Sequence, residues 1–238
     1  MTIDDVEHYT REQKDAIIAS YPEHEREARS KGVPTMGSGR VFPISEESIT
    51  VAPFAIPRHW PQINGMDFGI DHPFGAANLA WDREADVVHV CKTFRQTGTV
   101  PAIHAAAIKP WGSWIPCAWP HDGLNRDKGS GEQLAAQYKS HGLAMLDEKA
   151  THAEGGNGVE AGILDMLERM QTGRFKVFAG NNDWFEEFRL YHRKDGIIVK
   201  MIDDLMSATR YGVMMLRFAK VQPAAAGPRR HARLGMTA

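Results

Sequence analysis

Cysteine is scarce in this chain of 238 residues, where Cys91 and Cys117 are the only two. Two cysteines cannot build a disulfide framework, and they are too few for a structural zinc site made of thiolates. Both lie in apolar segments, as reduced thiols of a cytosolic protein do. Long apolar runs are missing as well, and none approaches the roughly 18 residues of a membrane span. The opening Met1-Thr2-Ile3-Asp4-Asp5 is acidic and polar, unlike a secretory signal, so the expected setting is cytoplasmic with no membrane partner. There is no Gly-x4-Gly-Lys-Ser/Thr phosphate loop. Gly37-Ser38-Gly39-Arg40 and Lys128-Gly129-Ser130-Gly131 do not supply one, so no ATP site of that kind is expected. No Gly-x-Ser-x-Gly supports a serine hydrolase. His59, His72, His121 and His141 form no His-x3-His pattern. Excess positive charge is lacking too. A formal net charge of -2 argues against coating nucleic acid by bulk attraction. The exception is the C-terminal end, where Arg217, Lys220, Arg229, Arg230 and Arg233 occur with no acid among them. That stretch reads either as a contact for DNA or an acidic partner, or as a solvated tail.

Carboxylates in unusual places are what the chain does have. Asp67 interrupts the apolar stretch 63–70, and Asp71 follows it. Asp122 ends Trp114-Ile115-Pro116-Cys117-Ala118-Trp119-Pro120-His121-Asp122. Asp203-Asp204 opens a segment with helical spacing. Carboxylates gathered in a low-dielectric site repel one another and lose hydration, so they call for a cation. An all-oxygen set suits Mg²⁺ or Mn²⁺, and two such ions side by side can hydrolyse a phosphodiester. Each acid also has a plainer reading. Gly65 and Gly69 flank Asp67 as they would a turn residue. Asp71 before His72-Pro73 either shapes a loop or acts as an accessory outer ligand. Asp122 before Gly123 fits an Asx turn, and Asp203 and Asp204 fit helix capping. Adjacent side chains on a helix diverge by ~100°, so only one of Asp203 and Asp204 faces a given site fully. Asp204 is favoured because it shares a face with the small Ala208.

The spacing predicts an alternating order of elements. Thr10-Arg11-Glu12-Gln13 has the form of a capping box before a short helix, and a second charged helix is expected over 23–30. Strand-like runs follow at 41–44 and 48–56. Pro53 and Pro57 limit the second to an edge or a connector. Strands are then expected at 63–70, 76–81 and 87–94, the last two joined by the polar turn 81–86 and so antiparallel. A helix over 100–109 is read as apolar at Val100, Ile103, Ala107 and Ile108. Further expectations are a strand at 114–119, a helix over 131–141 with Ser130 as N-cap, and a short strand at 143–146. After these come a helix over 159–170, a strand at 175–178, and a helix marked by Trp184, Phe185, Phe188 and Tyr191. An extended piece at 196–200 and a long helix from Asp204 to about Lys220 complete the order. The fold class is α/β, a mixed sheet of five or more strands flanked by helices. Its element order resembles the ribonuclease H-like fold. The division expected is an N-terminal helical arm or linker over 1–62, a nuclease domain over 63–221, and a flexible basic tail over 222–238.

The motifs themselves resemble those of the nuclease domain of tailed-bacteriophage terminase large subunits. The resemblance is carried by Gly65-Met66-Asp67-Phe68-Gly69-Ile70-Asp71-His72-Pro73, by the Asp122 segment, and by Asp203-Asp204-Leu205-Met206-Ser207-Ala208-Thr209-Arg210-Tyr211. The stretch 21–43 is similar to the family's segment between motor and nuclease. Where the family often has His then Asp around the last acid, Asp204 and Ser207 stand here. The resemblance implies a metal-dependent endonuclease that cuts double-stranded viral DNA around packaging. Asp67, Asp122 and Asp204 would form its metal-binding triad and Asp203 would help. Its cofactors would be two Mg²⁺ or Mn²⁺ ions. Its partners would be double-stranded DNA and, in such proteins, an ATPase motor, a small terminase subunit and a portal. The setting would be host-cell cytoplasm. Arg126 and Lys128 are expected DNA contacts, holding phosphates without reading sequence. Two other readings remain. One is a junction-resolvase or transposase-type nuclease of the same fold. The other is a catalytically silent packaging adaptor.

Overall fold

The computed structural model describes residues 9–20, 39–69, 72–125 and 132–224. The first described helix, α1 (Arg11–Ser20), begins with the capping box read from the sequence. The Thr10 hydroxyl accepts from the Gln13 amide at 3.3 Å, and the Gln13 side chain accepts from the Thr10 amide at 3.0 Å. The helix expected over 23–30 lies outside the described residues.

Among the described residues seven strands form one mixed sheet. They are β1 (Thr50–Val51), β2 (Gln62–Asp67), β3 (Phe74–Asp82), β4 (Val87–Gln96), β5 (Pro116–Ala118), β6 (Ala144–Met145) and β7 (Phe175–Phe178). Their spatial order is β1-β7-β4-β3-β2-β5-β6. The meander β2–β3–β4 is antiparallel, its β3–β4 pairing as the polar turn predicted, while β5, β6, β7 and β1 join in parallel. Parallel joins need crossovers. The helices that make them are α3 (Pro101–Ile108), α4 (Leu134–Ser140) and α5 (Val159–Gln171). The remaining helices are α2 (Glu46–Ile49), α6 (Asn182–Leu190) and α7 (Asp204–Met214).

Strand alternation sorts β2 onto two faces. Ile63 belongs to the larger core cluster with Leu205, Ala208 and Trp184, whereas Met66 belongs to a second cluster with Phe74, Ile108 and Tyr138. Gly65 and Asp67 therefore face α7. Glycine is required there, because a Cβ on Gly65 would stand 1.9 Å from the Ala208 carbonyl oxygen. A Cβ on Gly75 would stand 2.6 Å from the Asp204 carbonyl oxygen. Gly75 is the register partner of Asp67 across β2 and β3. The missing side chains let the start of α7 settle against the strand end that carries Asp67. Trp184, Phe188 and Phe175 stack behind it, all fully buried. Each such side chain contributes roughly 1.5–3 kcal/mol through burial.

Several expectations are corrected. The run 48–56 is not a strand. Ser45 caps the helical turn α2, accepting from the Ser48 amide at 3.3 Å, and only Thr50–Val51 pairs with the sheet. Val41, Phe42 and Ile49 lie in the core, so residues 40–51 pack with the sheet. Helix α3 buries Ile108 as expected but not the rest of the expected face. Val100 and Ile103 are 59% and 49% exposed, and His104 is buried instead. His104 is accommodated because both ring nitrogens have partners, the Thr99 hydroxyl at 2.6 Å and the Tyr138 hydroxyl at 2.8 Å. Its ring stacks on Phe74 with 4.0 Å between centroids. Helix α7 stops at Met214, short of Lys220, because the chain turns back to bridge β2. The Gln62 amide donates to the Lys220 carbonyl at 2.7 Å, and the Lys220 amide donates back at 3.1 Å. The extended piece at 196–200 is half of a small hairpin, β8 (Arg193–Lys194) with β9 (Ile197–Ile198). No helix among the described residues is long and apolar enough to cross a membrane.

Candidate metal centre

Three elements bring the predicted acids to one cleft of about 790 Å³, lined among others by Asp67, Asp122, Asp203, Asp204, Arg210 and Tyr211. Asp67 arrives on the last residue of central strand β2. Asp122 follows β5, the parallel neighbour of β2, on the 3-10 turn His121–Leu124. That is the carboxyl end of a parallel strand, where sheets of this class place ligands. Gly123 makes the turn possible, since a Cβ there would press into Trp119 at 2.4 Å and Phe68 at 2.8 Å. Asp203 and Asp204 arrive at the start of α7.

The helix-capping reading of the acidic pair does not describe what these side chains do. Asp203 occupies the N-cap position, but its side chain makes no capping bond. The cap comes from Glu187 on α6. Its carboxylate accepts from the Leu205 amide at 2.6 Å and the Met206 amide at 3.2 Å. Arg95 on β4 donates to the other oxygen of Glu187 at 3.1 Å. Glu187 is fully buried. Burial pushes its carboxyl up to about 7, against the pull of the two amides and Arg95. The external cap relieves the two aspartates of that task.

Asp204 is 4% exposed. One oxygen lies 3.1 Å from His72 Nδ1, and the other, Oδ2, is buried without a hydrogen-bond partner. An unpaired buried carboxylate oxygen costs on the order of 1–3 kcal/mol or more. Asp67 is pushed up to about 8, first by burial and then by the charges of Asp204 and Asp203. Burial and the Asp204 charge also raise Asp203. Burial lowers His72, but the hydrogen bond and charge of Asp204 outweigh it and the net shift is upward. A divalent cation among these groups would give Oδ2 a partner and remove the repulsion. The donor set is oxygen, as Mg²⁺ and Mn²⁺ prefer. His72 would then hold a ligand from outside, as a second layer of partners does around metal sites. Among the described residues, no three Asp, Glu, His or Cys side chains stand, as placed, where together they could hold a metal ion.

Asp71, Arg126 and Lys128 lie outside the described residues, as do Arg229, Arg230 and Arg233. Arg217, expected in the basic end, is tied down instead. It donates to the Thr151 carbonyl at 2.8 Å and the Met214 carbonyl at 2.9 Å. Sequence reasoning missed Glu187, Arg95 and Arg210. A signal for Glu187 was present. It stands three residues after Trp184 and one before Phe188, on the apolar face of its helix, where a carboxylate needs a reason. Beside the main cleft a smaller pocket of about 230 Å³, lined by Phe68, His104 and Tyr138, shares His72 and Asp122 with it.

Residues 64–216 match the family model for the terminase RNaseH-like domain, and residues 1–49 match that for the N-terminal part of T4-like terminase large subunits. The chain is 52% identical over 222 residues to the terminase large subunit of Salmonella phage P22, covering 93% of this chain and 44% of that protein. The match thus spans less than half the length of the curated relatives. The solved P22 large terminase nuclease domain superposes with a TM-score of 0.73 at 48% identity, covering 79% of this chain and 97% of that one. The nuclease domain of the large terminase g2p from bacteriophage SPP1, solved with bound Mn, shares the fold. Its TM-score is 0.53 at 15% identity, covering 71% of this chain and 97% of that one. The chain belongs to the terminase RNaseH-like domain family.

Proposed function

We propose that this chain is a metal-dependent endonuclease that cuts double-stranded viral DNA during genome packaging. The observation that carries the reading is the convergence of Asp67, Asp122, Asp203 and Asp204 on one cleft, with Asp204 Oδ2 buried and unpaired. Asp67, at the end of the central strand, would hold ions from the middle of the site. Asp122 and Asp204 would hold them from either side, with Asp203 assisting. Two Mg²⁺ or Mn²⁺ ions, when bound there, would activate water and stabilise the leaving 3′-oxygen. The protein's own part is to fix these carboxylates. The packing of Gly65 and Gly75 against α7 and the Glu187 cap hold the start of α7 in place. His72 orients Asp204 through Nδ1.

We assign the nuclease to residues 63–221, with 1–62 leading from a motor and 222–238 forming a tail, although 40–51 pack into the same core. An ATPase motor, a small subunit and a portal are the proposed assembly partners, and host cytoplasm is the proposed setting. The test is plasmid cleavage. The chain should nick or degrade DNA with Mn²⁺ or Mg²⁺ and not with EDTA. Undiminished cutting in EDTA would refute the metal mechanism. Binding without any cutting would favour a silent packaging module. Strong preference for branched over linear DNA would favour a resolvase.

A further inference from the structure

We propose that Arg210 is a phosphate-contacting residue of this centre, its guanidinium receiving a backbone phosphate of DNA beside the carboxylates. The inference rests on the proposed nuclease function and adds to it a residue that holds the substrate and not the ion.

Arg210 is 4% exposed and lines the acidic cleft. It lies three residues after Ser207 and seven after Asp203, so the three share one face of α7. Its Nε is buried without a partner, and Nη1 reaches only the Met214 sulfur at 3.6 Å. The guanidinium carbon lies 4.4 Å from the centroid of the Tyr211 ring. Stacking on a ring occupies the flat face and leaves the N–H edge for an anion. Five other arginines are treated differently. Arg95 pairs with Glu186 and Glu187, Arg169 and Arg174 share Asp86, Arg189 pairs with Glu46, and Arg193 pairs with Glu160. Arg210 is more deeply buried than any of these, yet among the described residues no such ion pair holds it. Asp67 and Asp203 feel its charge, yet its buried Nε has no acceptor, and a buried donor left unpaired is unfavourable, so the arrangement calls for a ligand.

The fold also makes room for it. The stem of Arg210 runs across Gly162 on α5, where a Cβ would stand 2.7 Å from Cγ and 2.8 Å from Cδ. Glycine inside a helix is unfavourable compared with alanine. Its presence here fixes the path of the arginine toward the cleft. The rival role is electrostatic, with Arg210 merely offsetting repulsion between Asp67 and Asp203, both of which feel its charge.

The two roles separate on three measurements with the 238-residue chain. These are Mn²⁺ affinity without DNA, affinity for a short duplex in Ca²⁺ across a salt series, and single-turnover plasmid cutting in Mn²⁺. Arg210→Gln should bind Mn²⁺ at least as tightly as the unsubstituted chain, because a like charge has left the site. Its duplex affinity should nevertheless fall, the slope of log K against log salt should shrink by roughly 0.9, one phosphate contact, and cutting should drop at least about tenfold. Arg210→Lys should restore most of the slope and less of the cutting, since an ammonium lacks the planar fork. Gly162→Ala keeps every charge but displaces the stem, and should lower duplex affinity in the same way. Tighter Mn²⁺ binding with unchanged slope and full cutting in Arg210→Gln would overturn the proposal in favour of the offsetting role. Should circular dichroism show Arg210→Gln unfolded, an unchanged slope in both Arg210→Lys and Gly162→Ala overturns it equally. Failure of the unsubstituted chain to bind Mn²⁺ or cut strikes the nuclease reading instead, and leaves the duplex slopes to judge Arg210.

Discussion

Two regions meet at the cleft and are built in opposite ways. The start of α7 is buried, seated on Gly65 and Gly75, and capped from outside by the fully buried Glu187. The turn that carries Asp122 is exposed, and the fixed bond at its end is that of the Asn125 amide to the Asp122 carbonyl at 2.9 Å. A side chain already fixed by packing loses little freedom on taking a ligand, whereas one on an exposed turn must be ordered. Charge stress follows the same division. Burial and neighbouring charge raise Asp67 and Asp203 on the packed side. The buried region should therefore couple metal binding to folding, and the exposed turn should affect chemistry alone.

The sharpest way to break this contrast is to neutralise one acid on each side. Asp67→Asn and Asp122→Asn should both lose cutting by more than the roughly 10–100-fold typical of losing an outer partner of a metal site. Asp67→Asn should leave the metal-free fold as stable as before or more stable, because it removes a carboxylate from a repelling group, whereas Asp122→Asn on the exposed turn should leave that stability unchanged. Thermal melts in EDTA check this. A clear fall in melting temperature for Asp67→Asn would show that its carboxylate is satisfied in the empty site.

Removing the Glu187 cap should have the next largest effect. Glu187→Ala leaves two helix amides without their acceptor and Arg95 with only its more exposed partners Glu186 and Asp183. Breaking a buried pair costs about 3–5 kcal/mol, and Arg95 retains some solvent contact, so about 3 kcal/mol is expected in denaturant titrations. Mn²⁺ affinity should fall roughly 10–100-fold, because the cap orients the helix that presents Asp204. Glu187→Gln keeps the shape and an acceptor oxygen and should recover much of both. A loss of stability with unchanged Mn²⁺ affinity would confine Glu187 to the fold.

Legibility in the sequence followed the same division between regions. Strand alternation and turn chemistry are local, so the meander and the order of later elements were readable. The acids that line the cleft could be picked out because a carboxylate breaking an apolar run, or ending one, stands out. Local propensity could not show that 48–51 enter as a helical turn and an edge strand, since partners over a hundred residues away decide it: Lys176 donates to the Ser48 carbonyl, and Val177 is the register partner of Thr50. The same limit hid His104, whose burial depends on the Tyr138 hydroxyl. It also hid the cap on α7. From sequence Asp203 is the natural cap, and only the packing of α6 against α7 puts Glu187 in that place.

Proton linkage sharpens the comparison further. Asp67 is raised to about 8 and Glu187 to about 7, and His72 is also raised. Groups with raised folded-state values bind more protons folded than unfolded, so they favour folding at low pH and lose that contribution as pH rises. His104, lowered to about 4, and His89, also lowered, act the other way, but their unfolded-state protons are already half lost at about 6.5 and little of that contribution is left above it. Between roughly pH 6.5 and 8 the raised groups decide. Melting temperature in EDTA should fall across that window. In saturating Mn²⁺ the fall should flatten or reverse, since the ion favours the ionised carboxylates. A melting temperature that climbs from pH 6.5 to 8 in EDTA would contradict the upward shifts.

The smallest effect lies within the acidic pair itself. Both residues open α7, and an exposed charge there gains only about 0.3–1 kcal/mol from the helix dipole. Asp203 makes no side-chain cap bond, so Asp203→Ala should cost no more than that. Asp204 has a buried oxygen without a partner, so Asp204→Ala should leave the metal-free fold equally stable or slightly firmer, after allowing for its bond to His72. Stability therefore hardly separates the two, while metal binding should. Asp204 is buried and oriented by His72, whereas Asp203 is half-buried and shares a helix face with Ser207 and Arg210. Asp204→Ala should abolish cutting and Mn²⁺ binding, and Asp203→Ala should keep part of each. Calorimetry with Mn²⁺ on both variants, paired with plasmid cutting, decides it. If Asp203→Ala is the dead variant and Asp204→Ala still cuts, the ligand is the less buried acid on the Arg210 face, and the buried oxygen of Asp204 serves His72 and the fold alone.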